Sequence, residues 1–362
     1  MPRRLLALLL LLCCSQQTAA LSIAFINPGR SDEAFWVAAS QAMQGAAQSL
    51  RLQLEVLYAE REPTRALQLA REIAARPALA RPDYVILVNE KGTLVANAQT
   101  LGAAGIPSFA AFSGLLPQER SQWAPRQGLP LLLGSLEPGA RDAGYMTAKA
   151  LVMQGLRQGK RGGDGRVHLL AIAGDRSTPV SIQRNEGMRQ AVAEFPMAAL
   201  DEMVYADWKR PQAAELMRGL LQRHPQARLV WAGSDQMAFG AMEALEQDGR
   251  EPGKQLLFSA INTSNEAMQA IISGRLTALA GGHFMSGAWA IVMLYDHYHG
   301  RDFADEGLEL ERPMFMLFDK PGAQRYLERF GAGIKGLDFR PYSKYLNPKL
   351  QRYPFSLDGL LR

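Results

Sequence analysis

The sequence predicts an α/β protein made of two Rossmann-like domains, each built on an open parallel sheet. Two observations lead there. From Leu21 onward, short β-rich runs alternate with amphipathic helical stretches, the pattern of parallel strands joined by crossover helices. That rhythm runs through the chain twice, and 362 residues are enough for two domains of ordinary size.

In the first half, Leu21 to Asn27 is the opening strand. Phe35 to Leu50 follows as a helix, with Phe35, Ala39, Met43, Ala46, Ala47 and Leu50 at helical spacing. Leu52 to Tyr58, Asp83 to Val88 and Ile106 to Phe112 read as the next strands, separated by helices around Thr64 to Ala75 and Thr93 to Ala104. A further strand, Leu131 to Gly134, is followed by Pro138 and Gly139, where the chain is expected to cross between domains. The second half places strands near Val167 to Ala173, Met203 to Ala206, Leu229 to Ala232 and Leu256 to Ile261. Two more crossings are expected, one near Asn262 to Ser264 or Gly281 to Phe284, the other near Arg312 to Met314. Gly159 to Gly165 is an exposed loop, because it lacks the spacing and the Gly-Lys-Ser/Thr ending of a phosphate cradle. After a helix at Gly322 to Phe330 the pattern weakens, and Tyr342, Tyr345, Tyr353 and Phe355 are expected to wrap over a domain surface.

The first twenty residues carry a separate signal. Arg3 and Arg4 precede an apolar run from Leu5 to Cys14, and Thr18-Ala19-Ala20 supplies the small residues that a signal peptidase needs. The run is about half the length of a membrane-spanning helix, so residues 1–20 read as an export signal cleaved after Ala20. Cleavage also removes both cysteines, Cys13 and Cys14, so the mature chain has no disulfide chemistry in an oxidising compartment. The formal charge of +5 drops by two without Arg3 and Arg4, too little for a nucleic-acid surface.

Four blocks resemble one family. They are Asn27-Pro28-Gly29 with Phe35-Trp36; Arg184-Asn185-Glu186-Gly187 opening a helix; Trp231 to Ala241, where a small-residue turn ends in Asp235 before Met237-Ala238-Phe239-Gly240; and Ala270 to Leu276. Together they are similar to the periplasmic sugar-binding proteins of the ribose-binding type, the solute-binding components of ABC transporters. The resemblance covers the chain to about Asp319 and implies the type I periplasmic binding protein fold, with two domains joined by a three-segment hinge. On that reading, residues 21–136 plus 284–312 form the N-terminal lobe and 137–283 plus 313–330 the C-terminal lobe. Residues 331–362 are an extension packing on the lobes. The implied mechanism is hinge closure on a small polar ligand, with no bond broken.

Ligands of open parallel sheets lie beyond the carboxyl ends of the strands, which selects few positions. Phe35 and Trp36 offer aromatic faces to the C–H side of a sugar ring. Asn89 can donate to and accept from vicinal hydroxyls at once, while Glu90 reads equally as a ligand contact, a surface charge or a helix cap. Ser181 and Arg184 start a helix, and the guanidinium fork suits two ligand oxygens. Ser234 and Asp235 follow one strand, Asn262 another, and His283 sits beside the hinge. Phe112 and Ser113 stand where the sugar-binding relatives usually place Asp or Asn and then Arg. Pro28-Gly29, Trp36, Arg184, Ser234 and Asp235 also resemble contacts of the periplasmic autoinducer-2 receptor branch, whose pattern Asn262 and His283 do not follow.

Enzyme chemistry has little support. The five histidines show no zinc spacing, and there is no Gly-x-Ser-x-Gly elbow. Neither a metal nor a cofactor is expected. A DNA-binding regulator of the same core fold would need a head before the first strand, where the export signal stands instead. The expectation is therefore a periplasmic, monomeric binding protein that delivers a sugar-like ligand to an ABC permease. A sensor reporting to a membrane histidine kinase or chemoreceptor is the alternative that uses the same closure.

Overall fold

The computed structural model describes residues 20–361, so the export signal, apart from Ala20, lies outside the described residues, as do both cysteines. The first lobe begins β1 (Ser22–Asn27), α1 (Ala34–Leu50), β2 (Gln53–Tyr58), α2 (Pro63–Ala74), β3 (Tyr84–Leu87), α3 (Leu94–Ala103), β4 (Ser108–Ala111), α4 (Pro117–Trp123) and β5 (Leu132–Pro138). The chain then crosses into the second lobe. There it forms α5 (Ala140–Arg157), β6 (Val167–Ala173), α6 (Pro179–Ala193), β7 (Ala198–Tyr205), α7 (Arg210–Arg223), β8 (Leu229–Ala232), α8 (Asp235–Gln247), β9 (Leu257–Ile261), α9 (Asn265–Ser273) and β10 (Ala278–Gly281). It returns for α10 (Ser286–Tyr298) and β11 (Glu309–Arg312), then crosses a third time for β12 (Met316–Leu317) and α11 (Lys320–Phe330).

Two six-stranded sheets result, ordered β11-β5-β4-β3-β1-β2 and β12-β10-β9-β8-β6-β7, with every pairing parallel except β10 with β12. Helices cover both faces, so the central strands read as unbroken apolar runs and alternate residues feed opposite layers. Ile23 and Phe25 point into the core under α1 and α10, while Ala24 and Ile26 point under α2 and α3. In the second sheet, Leu170 and Ile172 face α7 and α8, whereas Leu169 and Ala171 face α5 and α6.

The crossings follow from the strand ends. β5 pairs with β11 as far as Pro138 opposite Arg312, so the first crossing falls at Gly139, two residues beyond the 136/137 boundary. The second lies between Gly281 and Ser286, and Asn262–Ser264 stay within the second lobe as the turn from β9 to α9. β11 and β12 have no clear signal in sequence: one alternates charges, the other has two residues, and both form only because a neighbouring strand edge is available.

Residues 331–361 run back from α11 onto the first lobe. Phe355 stacks on Trp289 with ring centres 4.9 Å apart, and Phe339 and Tyr342 meet the same indole at 5.2 and 4.7 Å. Asp296, fully buried in α10, anchors the segment by accepting from Ser343 Oγ, Lys344 N (2.7 Å), Tyr345 N (3.2 Å) and Tyr353 OH (2.8 Å). Tyr345 is instead half exposed and stacks on His299. Because Asp296→Ala leaves these buried donors without their acceptor, the substitution should cost about 3 kcal/mol in urea unfolding and make residues 331–361 an early target of limited proteolysis. Wild-type stability and an uncut extension would show that the carboxylate does not hold it.

Candidate functional site

Because all the parallel strands of a lobe point the same way, their carboxyl ends converge, and the two lobes face each other across these ends. A small cleft lies between them. From the first lobe it is lined by Glu33, Phe35 and Trp36 around the start of α1, Arg61 after β2, Val88 and Glu90 after β3, and Phe112 after β4. Thr178, Val180 and Arg184 after β6, Trp208 after β7, Ser234 to Gln236 after β8, Asn262 after β9 and His283 after β10 complete it from the second lobe.

The backbone reaches these positions by conformations that side chains resist. Glu60, Arg61, Lys91, Phe112, Asp207, Trp208 and Asn262 all have positive φ, and each follows the end of a strand. Such strain gathers where a fold must aim side chains at a site. Glycine serves close approach elsewhere. A Cβ on Gly29 would lie 1.8 Å from the Trp36 indole, which explains the Asn-Pro-Gly turn ahead of it, where Asn27 Oδ1 accepts from Gly29 N. Gly144 of α5 and Gly187 of α6 press against the opposite helix, with Cβ positions 2.0 and 1.9 Å from the carbonyls of Arg184 and Arg141. That close crossing sets α6 and hence Arg184.

Arg184 is buried in the second-lobe wall. Its Nη1 donates to Gly233 O (2.7 Å) and its Nη2 to His283 Nε2 (2.9 Å), while Nε has no partner within the protein. Burial lowers the guanidinium pKa to about 9, against the opposing pull of Asp235. Since His283 accepts at Nε2, its proton sits on Nδ1, which is also buried and without a protein partner. The imidazole is stacked between Phe35 (4.6 Å) and Phe315 (4.4 Å); burial and then the Arg184 charge push it well below the ordinary imidazole range. Asp235 accepts from Gln236 N, Asn262 Nδ2 (3.0 Å) and Ser264 N (3.3 Å), but burial still raises its carboxyl above the usual value. The helix cap falls to Ser234, whose Oγ accepts from Met237 N.

The opposite wall has a second guanidinium. Arg61 donates to both carboxylate oxygens of Glu33 and, at 2.7 Å, to Glu90. Burial opposes its charge, and these carboxylates overcome that, holding the group above its ordinary value. Its Cζ lies 5.9 Å from the ring centres of Trp36 and of Trp208, so it reaches across the lobes. Trp208 is fixed by donation from Nε1 to Asp175 Oδ2 (2.7 Å).

The structure thus brings Phe35, Trp36, Arg184, Ser234, Asp235, Asn262 and His283 to one cavity, and leaves Asn89 and Ser181 outside its lining. The Asn89 amide donates to Gly114 O and Glu119 and accepts from Leu94 N, fastening the turn after β3. Ser181 Oγ donates to Asp175 O within the α6 turn. Each was selected by its place after a strand, but a side chain that finds local backbone partners does not face the cleft. Glu90 takes the ligand-side position next to Asn89. Arg61, Glu33, Thr178 and Trp208 were missed. Applied after β2 and β7, the same strand-end rule selects Arg61 and Trp208, whereas nothing in the sequence marks Glu33 as their partner.

Two largely parallel sheets facing each other by their carboxyl ends, linked by three crossings around a buried cavity, define a two-lobed protein of the binding-protein type. A model of the periplasmic binding protein domain family matches residues 23–302. The crystal structure of a periplasmic sugar-binding protein from Pseudomonas fluorescens is 38% identical, covers 94% of this chain and 99% of its own, and superimposes with a TM-score of 0.83. The D-apiose import binding protein of Paraburkholderia graminis is 27% identical over 262 residues, 72% of this chain and 75% of the relative. The ribose import binding protein of Escherichia coli is 31% identical over 121 residues, 33% of this chain and 38% of the relative. The chain belongs to the periplasmic binding proteins, in their ribose-binding type.

A pH test follows from His283. Its pKa is depressed in the fold, so below about pH 6.5 the unfolded chain binds a proton that the folded one refuses, and stability falls as pH falls. His283→Gln removes that contribution, and urea unfolding at several pH values should show the variant losing less stability than wild type between about pH 7 and about pH 5. Parallel curves would mean that His283 is not held neutral.

Proposed function

We propose that the protein captures a small polyhydroxylated ligand, a sugar or sugar-like molecule, in the interlobe cavity and delivers it to the permease of an ABC transporter. The observation that carries this reading is a cavity between the lobes lined by Arg184, His283 and Asp235, of which Arg184 Nε and His283 Nδ1 are buried donors without a partner in the protein. Ligand hydroxyls accept from the two donors and donate to the carboxylate, a pairing worth about 1.5–3 kcal/mol for each charged partner. Family membership and the D-apiose and ribose importers among the relatives support a carbohydrate.

Closure is the working step. Lys91 of the first lobe pairs with Asp207 of the second at 2.9 Å, and Lys91 N donates to Thr178 Oγ1 at 3.2 Å. A ligand held by both walls adds its own contacts to these, binds the closed state better than the open one, and shifts the population toward closure. The three crossings, at Gly139, Gly282–Met285 and Pro313–Phe315, act as the hinge, and a permease reads the closed shape. Residues 1–20 act as the export signal that brings the monomer to the periplasm, so N-terminal sequencing of the exported protein should begin at Leu21; retention of the leader would refute the cleavage.

The direct test is a thermal-shift screen against sugars, polyols, nucleosides and autoinducer-2. A true ligand at a hundredfold excess over Kd stabilises the fold by about 2.7 kcal/mol. Asp235→Ala and Arg184→Ala should each then cost at least about 1.5 kcal/mol of affinity by calorimetry. A screen in which no carbohydrate shifts the transition, even after refolding to strip carried-over ligand, would remove the sugar reading. Unchanged affinity in both variants would move the site elsewhere.

A further inference from the structure

The two walls of the cavity are chemically unequal. On the second lobe, polar atoms remain uncommitted, namely Arg184 Nε and His283 Nδ1. On the first lobe, Trp36 Nε1 is likewise buried without a partner, packed against Gly29, while most of the other polar groups nearest the cavity are engaged. Glu33, through both carboxylate oxygens, and Glu90, through Oε1, bind Arg61 at one edge. Asn89 is turned to Gly114 and Glu119, and Ser113 Oγ donates to Asn89 O. The backbone offers little more there, since Asn89 N, Phe112 N and Ser113 N donate to Ser113 O, Leu136 O and Ala111 O. What faces the cavity between these groups is an apolar surface of Phe35, Trp36, Val88 and Phe112.

Phe112 is central to that surface. Its ring packs edge-on against Trp36 at 5.2 Å and Phe35 at 6.1 Å and stacks on Phe25 at 6.1 Å. Its backbone is left-handed, with φ of 66°, which a bulky aromatic residue adopts at a cost and asparagine adopts readily. The fold therefore sustains strain in order to present a ring where a polar residue would sit more easily.

We infer that Phe112 is a specificity-determining residue, and that the ligand edge it meets carries C–H or methyl groups in place of a hydroxyl, as in deoxy or methyl-bearing sugars. The inference rests on the carbohydrate reading above. A hydroxyl pressed against the Phe112 ring loses its water and gains no hydrogen bond from it, whereas a methyl group gains contact.

Calorimetry on matched pairs that differ by one oxygen tests this: D-galactose with D-fucose, L-mannose with L-rhamnose, D-glucose with 6-deoxy-D-glucose, and D-ribose with 5-deoxy-D-ribose. Among pairs that bind, the deoxy member should bind about 10- to 100-fold more tightly. Phe112→Asn, which suits the left-handed backbone, should abolish or reverse the preference, while Phe112→Leu, which keeps the wall apolar, should retain its direction. Equal or tighter binding of the hydroxylated members by wild type overturns the inference and leaves the carbohydrate reading standing. So does an unchanged ratio in Phe112→Asn, with respect to Phe112. If no member of any pair binds, the carbohydrate reading falls and this inference falls with it. The wild-type ratio decides the ligand class even if Phe112→Asn does not fold.

Discussion

Everything at the cleft depends on one constraint, that the strands of each lobe, β12 apart, run parallel and so end together. Parallel pairing forces each connection to return over a face of the sheet as a helix, and every strand then delivers its next residues to the same edge. With both lobes presenting that edge to each other, short turns have to aim side chains inward within one or two residues. The run of positive φ values from Glu60 to Asn262 is the backbone cost of that economy. It is sustained by hydrophobic layers beneath, where Phe25, Phe109, Phe258 and Trp231 are fully buried.

The electrostatics of the two walls follow different rules. Arg61 keeps its charge because two carboxylates surround it, and its aromatic neighbours come from both lobes. Arg184 is buried with neutral acceptors, and this lowers its pKa and leaves Nε without a partner in the protein. A guanidinium held in that way costs the empty fold something and gives its full hydrogen-bond strength to whatever occupies the site.

The carboxyl-terminal segment links the lobes independently of the crossings. It leaves α11 on the second lobe, where Asn265 Nδ2 donates to Gly331 O, and then meets the first lobe, where Ile334 N donates to Gln41 Oε1. From there it is fixed by Asp296 and by the rings on Trp289, and Leu357 returns to lie close to Gly282 in the second crossing. Lys344, with its side chain buried against Asp305 and Glu306, makes the attachment specific as well as apolar.

The sequence by itself determined the alternation of strands and helices, because runs such as Leu229–Ala232 and the spacing of Phe35 to Leu50 record burial directly. It also placed seven of the seventeen residues that line the cavity, since position after a strand is a property of the chain. It did not separate Asn89 from Glu90, nor Ser181 from Arg184. Both members of each pair follow a strand, and only the local hydrogen bonds decide which one turns inward. The short strands β11 and β12, the Glu33–Arg61–Glu90 cluster and the seat of the last thirty residues were decided by tertiary structure alone. Each depends on groups far apart in the chain, brought together only when both sheets have formed and their edges, rings and charges have found partners.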